Sequence, residues 1–413
     1  MRPIDTKSVK AYHQVMESLK QYKGLPPQIY YLSFTRLIVE MGMMFVFPFM
    51  SLLLTQRLGY TTIQAGYIML LTSLGNMVGS LAGGKLSDEF GRKRTYSGLV
   101  FVIIIAMMAA GFTCTHRVVI LFVLITYTCI SAIMPAISAI IIDISDESNR
   151  NECFSLMYIL GNIGCAAGPV IAGLLFYRHM PWIFFSMAFF YILTYIIIAF
   201  KIQDNYVPHR DRQDAERTKE ESLFSIVIHR PVLLVFIICL VIITLCYIEL
   251  DYVLPLQFSH LFGLNLGSKL ASLTWTINGL VCVLFTPFII SRVKGNKPLF
   301  NIIFGCMLYT VGFGMYAMHI NMTIFVLAAV VWTAGEILIT TEAGVFIADL
   351  SPETHNGRCI SLYEFSRGVG KCFGPIIFGY ILTYRSYSFA WLLISGICII
   401  ITVVIALLHR YSR

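Results

Sequence analysis

Gly84-Lys85-Leu86-Ser87-Asp88-Glu89-Phe90-Gly91-Arg92-Lys93-Arg94 is a short, strongly basic stretch between two apolar segments, 62–84 and 95–113. Each flanking segment is long enough to cross a bilayer as a helix, which takes about 20 residues. The stretch therefore reads as a tight loop joining two membrane helices on one side of the membrane. Gly91 permits a sharp backbone turn, and Asp88 can accept hydrogen bonds from amides at a neighbouring helix start. Arg92, Lys93 and Arg94 then hold this end of the hairpin on the positive side. A generic basic hairpin would not require Gly84, Leu86, Asp88 and Gly91 at this spacing.

The wider composition agrees. The chain has 413 residues, 57% of them hydrophobic and 13% charged. Its repeated apolar runs exclude a soluble globule and indicate a polytopic all-α membrane protein. Twelve spans are expected, at 29–55, 62–85, 95–113, 118–142, 153–177, 181–200, 231–258, 267–291, 298–319, 321–349, 359–384 and 387–409. With both termini and the even-numbered loops on one side, 22 of the 30 Lys and Arg residues gather there. The other side holds Arg57, Arg117, Arg178, Lys269 and Arg385, while Arg36, Arg367 and Lys371 lie within spans. This asymmetry predicts cytoplasmic termini. It makes the net charge of +8 a topology signal and not a nucleic-acid surface.

Residues 1–28 form a cytoplasmic N-terminal segment too polar for a cleavable signal peptide. Val9, Tyr12, Val15, Met16, Leu19 and Tyr22 give it a weak helical stripe suited to the membrane surface, ended by Pro26-Pro27. The one long polar connection, 202–230, divides the chain into six-helix bundles at 29–201 and 231–413, and reads as a solvated cytoplasmic linker. The eleven cysteines show no metal-like or CxxC spacing. They read as small packing residues, so neither a metal, a disulfide framework nor a cofactor is expected.

The two halves are copies. A shift of 206 positions aligns Cys153, Ser155 and Leu156 with Cys359, Ser361 and Leu362. It also carries Gly164, Gly168, Pro169, Ile171 and Gly173 onto Gly370, Gly374, Pro375, Ile377 and Gly379, and Asp143 onto Asp349. Parallel six-helix repeats around a central site are a known transporter architecture.

The opening stretch resembles the signature loop between the second and third helices of the major facilitator superfamily, G-x-L-[AS]-D-x-x-G-R-[KR]. Gly84, Leu86, Ser87, Asp88, Gly91, Arg92 and Lys93 fit it. The resemblance implies a cytoplasmic latch formed by Asp88 and Arg92, with Asp143 as partner, that stabilises an outward-open state. An interfacial carboxylate without a partner is the plainer reading of Asp143. In the second half the position matching Asp88 is Arg292, which implies an asymmetric latch. Gly164, Gly168, Pro169 and Gly173 also resemble the antiporter signature of the drug-efflux branches, with Ala172 replacing one glycine. Ordinary close packing around a proline bend explains the same residues.

Charges inside spans are expensive and usually face a cavity or a partner. The resemblance implies that the first, fourth, seventh and tenth helices line the cavity. These carry Arg36 and Glu40, then Glu249 and Asp251, then Glu336 and Glu342. The eleventh adds Glu364, Arg367 and Lys371 on one helix face. A carboxylate that alternates between protonated and ionised states near neutral pH meets the physical requirement for proton coupling. Glu336, in a Gly-Glu pair like that of drug/proton antiporters, is the first candidate. Glu40 is the second, unless Arg36 one turn away keeps it in a structural ion pair.

Glu249 and Asp251 cannot share a helix face and lie toward the outer end of their span, so at least one is expected to face water. Lys371 could meet an anionic substrate or a partner in the tenth helix. Proton-coupled members commonly carry an arginine about three turns before the fourth-helix proline. Here that position is Val123. Abundant aromatics and methionines suit a lipophilic cavity and, equally, lipid-facing positions.

The expected protein is thus a monomeric twelve-helix transporter of the plasma membrane that exports lipophilic or amphipathic small molecules in exchange for protons. A uniporter or symporter for a polar or anionic metabolite, using Arg36, Arg367 or Lys371, is the alternative. A non-transporting sensor on the same fold is a further one. No catalytic constellation or nucleotide loop suggests an enzyme.

Overall fold

The computed structural model describes residues 22–146, 149–203, 230–293, 295–318, 321–350 and 356–411. Side chains of 151, 348–350 and 356–364 are excluded, so the roles read for Asp349 and Glu364 fall outside the described residues. So do the amphipathic stripe before Tyr22 and nearly all of the linker.

The described chain is helical, with no strand among the described residues. The helices are α1 (Pro27–Val46), α2 (Thr62–Phe90), α3 (Arg92–Thr113), α4 (Val119–Ile144), α5 (Arg150–Phe176) and α6 (Met180–Lys201). After the linker come α7 (Pro231–Tyr247), α8 (Glu249–Val293), α9 (Pro298–Tyr316), α10 (Met322–Leu350), α11 (Asn356–Tyr384) and α12 (Tyr387–Tyr411). Past Val46 the first span reaches Arg57 through a 3₁₀ turn containing Pro48 and a π turn. Proline lacks the amide that would continue the ladder there.

Among the described residues, ten stretches are long and apolar enough to cross a membrane. One of them, Pro231–Val293, would be about 95 Å long if straight. That is three times the roughly 30 Å hydrocarbon core, so it must double back. It does so at Gly263, whose φ of 75° interrupts α8. Counting that run as two crossings and adding α11 is compatible with twelve spans.

The polar stretch that opened the sequence is not an eleven-residue loop. α2 continues to Phe90 and α3 starts at Arg92, leaving Gly91 as the one residue between them, with φ of 89°. The helices outrun the bilayer because polar residues keep helical propensity beyond its edge. At the other end α2 begins on a capping box. Thr61 Oγ1 accepts from the Gln64 amide at 3.2 Å, and Gln64 Oε1 accepts from the Thr61 amide at 3.1 Å.

Within the first half α1 packs on α5 and α6, α2 on α4, and α3 on α4 and α6. In the second, α7 packs on α11 and α12, and α9 on α10 and α12. Between them run two large contacts, α2 with α11 and α5 with α8. These hold a seam at the end opposite Gly91. Thr62 donates to the Gly379 carbonyl at 3.0 Å, Tyr252 donates to the Thr62 carbonyl, and Thr276 donates to the Ala166 carbonyl at 3.3 Å.

Candidate functional site

The cavity begins where α1 meets α4. A 560 Å³ space reaches from Arg36 and Ser131 to Ile141 at the end of α4 and Phe154 at the start of α5, toward the Gly91 end. A 470 Å³ space shares Arg36, Ser80, Ser131 and Met134 with it and continues to Glu40, Tyr127, Arg367 and Lys371. Arg367 also borders a 30 Å³ pocket that holds Glu336 and Tyr247. The three spaces form a path from the Gly91 end into the centre, and the closed seam lies beyond it.

Arg36 and Glu40 are one helical turn apart and form an ion pair. Arg36 Nη1 also donates to the Met134 sulfur, and the Cys165 thiol donates to Glu40 Oε2 at 3.5 Å. The alternative in which Arg36 neutralises Glu40 is therefore the geometry found. Glu336 is half-buried in an aromatic wall of Tyr247, Trp275, Tyr309 and Trp332. Tyr247 donates to its Oε1 at 2.8 Å and Asn278 to its Oε2 at 2.6 Å. A carboxylate held by two neutral donors keeps its place whether or not it carries a proton.

Two expectations are corrected. Glu342 is not among the residues that line these three spaces; its Oε1 accepts from Asn301 Nδ2 at 3.0 Å, beside the α8–α9 turn. Six residues along α10 from Glu336, about one and two-thirds turns, it falls on the face turned toward α9. Neither Glu249 nor Asp251 faces water, being 0% and 4% exposed. The span carries on past them through α8, so they lie inside it and not at its end. A Cβ on Gly84, the first glycine of the signature stretch, would meet open space. A Cβ on Gly83 would stand 2.1 Å from the Ala132 carbonyl.

At the Gly91 end Arg92 forms an ion pair with Asp143 and donates to the Ala139 carbonyl at 2.6 Å, pinning α3 to α4. Asp88 is exposed on the last turn of α2. The Arg92–Asp143 pair is made while the far seam is closed. It is internal to the first half and does not by itself mark closure of the Gly91 end.

The glycine motifs act at helix crossings. A Cβ on Gly164 or Gly168 would stand 2.3 or 2.5 Å from the Leu37 or Met41 carbonyl of α1; on Gly370 or Gly374, 2.4 or 2.9 Å from the Val241 or Leu245 carbonyl of α7. Gly173 and Gly379 face α8 and Thr62 across the seam, and Pro169 and Pro375 lie inside α5 and α11.

Reading only charges missed Asn278 and Tyr247, which hold Glu336, and the polar lining of Ser73, Asn76, Ser80 and Ser131. An amide within an apolar span was the available signal for Asn278 and Asn76.

Residues 32–375 match the family model described as Major Facilitator Superfamily. The chain belongs to the Major Facilitator Superfamily. It is a multi-pass membrane transporter of that family, which is not one of enzymes. It is 27% identical to the MFS-type transporter YhjO of Bacillus subtilis, over 81% of this chain and 82% of that one. It is 22% identical to a Na(+), Li(+), K(+)/H(+) antiporter of Planococcus maritimus, over 80% and 84%. The quinolone resistance protein NorA of Staphylococcus aureus is 27% identical over 42% of this chain and 43% of its own. A crystal structure of a POT family transporter bound to a thioalcohol-conjugated peptide shares the fold, with a TM-score of 0.78 at 13% identity, covering 95% and 99%.

Proposed function

We propose that this superfamily member exports lipophilic or amphipathic small molecules in exchange for protons, in the plasma membrane with cytoplasmic termini. In this reading the bundles 29–201 and 231–413, joined by 202–230, rock about the central cavity. The described arrangement is then the inward-facing one. Glu336 carries the coupling proton, and the observation that carries the reading is its position. It sits at the inner end of the path, next to Arg367, on two neutral donors that tolerate either protonation state. Similarity to an alkali-cation/proton antiporter and, over part of the chain, to a quinolone resistance protein supports exchange and efflux.

The test uses purified protein in liposomes with an imposed pH gradient and an internal pH dye. Lipophilic cations, neutral drugs and organic anions are added to wild type and Glu336→Gln. Substrate-dependent proton flux that disappears in the variant is the expected result. Transport that ignores both gradient and variant would remove the antiport reading.

A second reading has its own support. Arg36, Arg367 and Lys371 all border one cavity, as a site for a polar or anionic metabolite would require. Transport of an organic anion lost in Arg36→Gln but intact in Glu336→Gln would favour it.

A further inference from the structure

The two large spaces differ in what lines them. The 560 Å³ space nearer the Gly91 end is walled by Ile137 and Ile141 of α4 and by Phe154 and Met157 of α5. The inner 470 Å³ space is polar on its α2 side. Ser73, Asn76 and Ser80 lie three and four residues apart, so they share one face of α2. That face is turned toward α11. Ser73 donates to the Lys371 carbonyl at 3.4 Å, and a Cβ on Gly368 would stand 3.2 Å from Met77 Cγ. The crossing of α2 and α11 thus sets an uncharged hydrogen-bonding stripe beside Arg367 and Lys371.

Arg36, Arg367 and Lys371 line these spaces against one carboxylate among the described lining residues, Glu40. Both oxygens of Glu40 are engaged, Oε1 by Arg36 and Oε2 by the Cys165 thiol, and the residue is 8% exposed. Glu336 stands in the adjoining small pocket, held by Tyr247 and Asn278. A cationic head group would therefore meet three like charges and, among the described lining residues, no carboxylate with an unengaged oxygen. An anionic head group finds donors. Arg36 Nη1 points at the Met134 sulfur, a weak acceptor that an anionic oxygen would displace. Asn76 supplies the opposite feature. Its Oδ1 is buried and has no hydrogen-bond partner among the described residues. An acceptor left in that state is costly, and an N–H or O–H on a ligand would satisfy it.

We propose that the cargo is an amphipathic organic anion carrying an N–H or O–H donor beside its anionic group. The anionic oxygens lie against Arg36 and the two α11 cations, the donor binds Asn76 Oδ1, and the apolar body extends toward Ile141 and Phe154. Asn76 is then a specificity-determining residue that selects on one hydrogen atom of the ligand. This narrows the export reading and rests on it for placing the cargo in this cavity. A site built around a hydrogen bond rejects the analogue lacking it more sharply than an apolar pocket rejects a missing methylene.

The test is equilibrium binding to the full-length protein in lipid nanodiscs without a pH gradient, with empty nanodiscs subtracted. The probes are N-naphthoylglycine, the ester O-naphthoylglycolate, in which oxygen replaces the amide N–H, and the cation naphthoylcholine. Wild type should bind the amide about tenfold more tightly than the ester, and the cation more weakly than either. Asn76→Leu should lose the preference for the amide and keep wild-type affinity for the ester. Arg36→Leu with Glu40→Thr, which leaves the net charge of the lining unchanged, should weaken both anions about tenfold or more. Equal wild-type affinity for amide and ester overturns the proposal, as does a preference that survives in Asn76→Leu. So does tighter binding of the cation, or no anion binding at all. If Asn76→Leu fails to fold, Asn76→Ala decides by keeping or losing the preference. Anion binding without proton flux in liposomes would count against exchange for protons and leave the cargo assignment intact. Proton flux driven by cationic drugs, with no anion binding, would overturn the cargo assignment and leave the exchange reading intact.

Discussion

The α1–α5 crossing and the α7–α11 crossing are two versions of one piece of backbone. Gly164 and Gly168 press on the carbonyls of Leu37 and Met41, and Gly370 and Gly374 press on those of Val241 and Leu245. The register between α1 and α7 is thus 204 positions, close to the 206 that relates α5 to α11. In that register Arg36 and Glu40 fall on Leu240 and Thr244, and Glu249 falls on Phe45. The first crossing holds a satisfied ion pair where the second is neutral. The second holds a carboxyl with no partner among the described residues where the first is aromatic. Duplication kept the steric contact and let the charges diverge, because a helix crossing needs small residues at fixed places and leaves the neighbouring side chains free.

Unequal responses to losing one carboxyl would sharpen this contrast most. Glu40→Gln strands Arg36 in a mostly buried site and should destabilise by about 3 kcal/mol. Glu249→Gln breaks no hydrogen bond or ion pair among the described residues and should change stability little. Thermal unfolding in detergent checks both, and equal losses would break the comparison. Copying the second half into the first, Arg36→Leu with Glu40→Thr, should recover most of the Glu40→Gln loss, since a buried pair replaced as a whole costs little.

Next in size are the crossings themselves. Gly164→Ala and Gly370→Ala each place a methyl against backbone that cannot yield like a side chain, and each should cost about 1–3 kcal/mol. Similar losses support equivalence, whereas a loss in one half alone breaks it. Gly84→Ala, with open space at the Cβ, should show no such loss. The smallest effect concerns helix starts. Thr61→Ala removes the capping box of α2 and should cost about 1 kcal/mol, read as a lower melting temperature.

Much of this was legible in the chain. The spans, the duplication and the signature stretch follow from hydropathy period and repeat spacing, which are local properties. The turn at Gly91 was visible, but not that it takes a single residue, because hydropathy marks where the bilayer ends and not where the helix does. Glu336 could be named from its charge in an apolar span. Its donors, Tyr247 on α7 and Asn278 on α8, could not, since no spacing rule connects residues 89 and 58 positions away.

The sequence alone determined that this is a two-fold repeated helical membrane protein and which few charges its interior must accommodate. Only the tertiary structure decided how each is accommodated. Arg36 pairs with Glu40, Glu342 turns to Asn301, and Glu249 is sealed against Gly374 with no donor among the described residues. Burial and partnership of a side chain depend on the rotation of every helix around it, and that rotation is set by packing between elements distant in the chain.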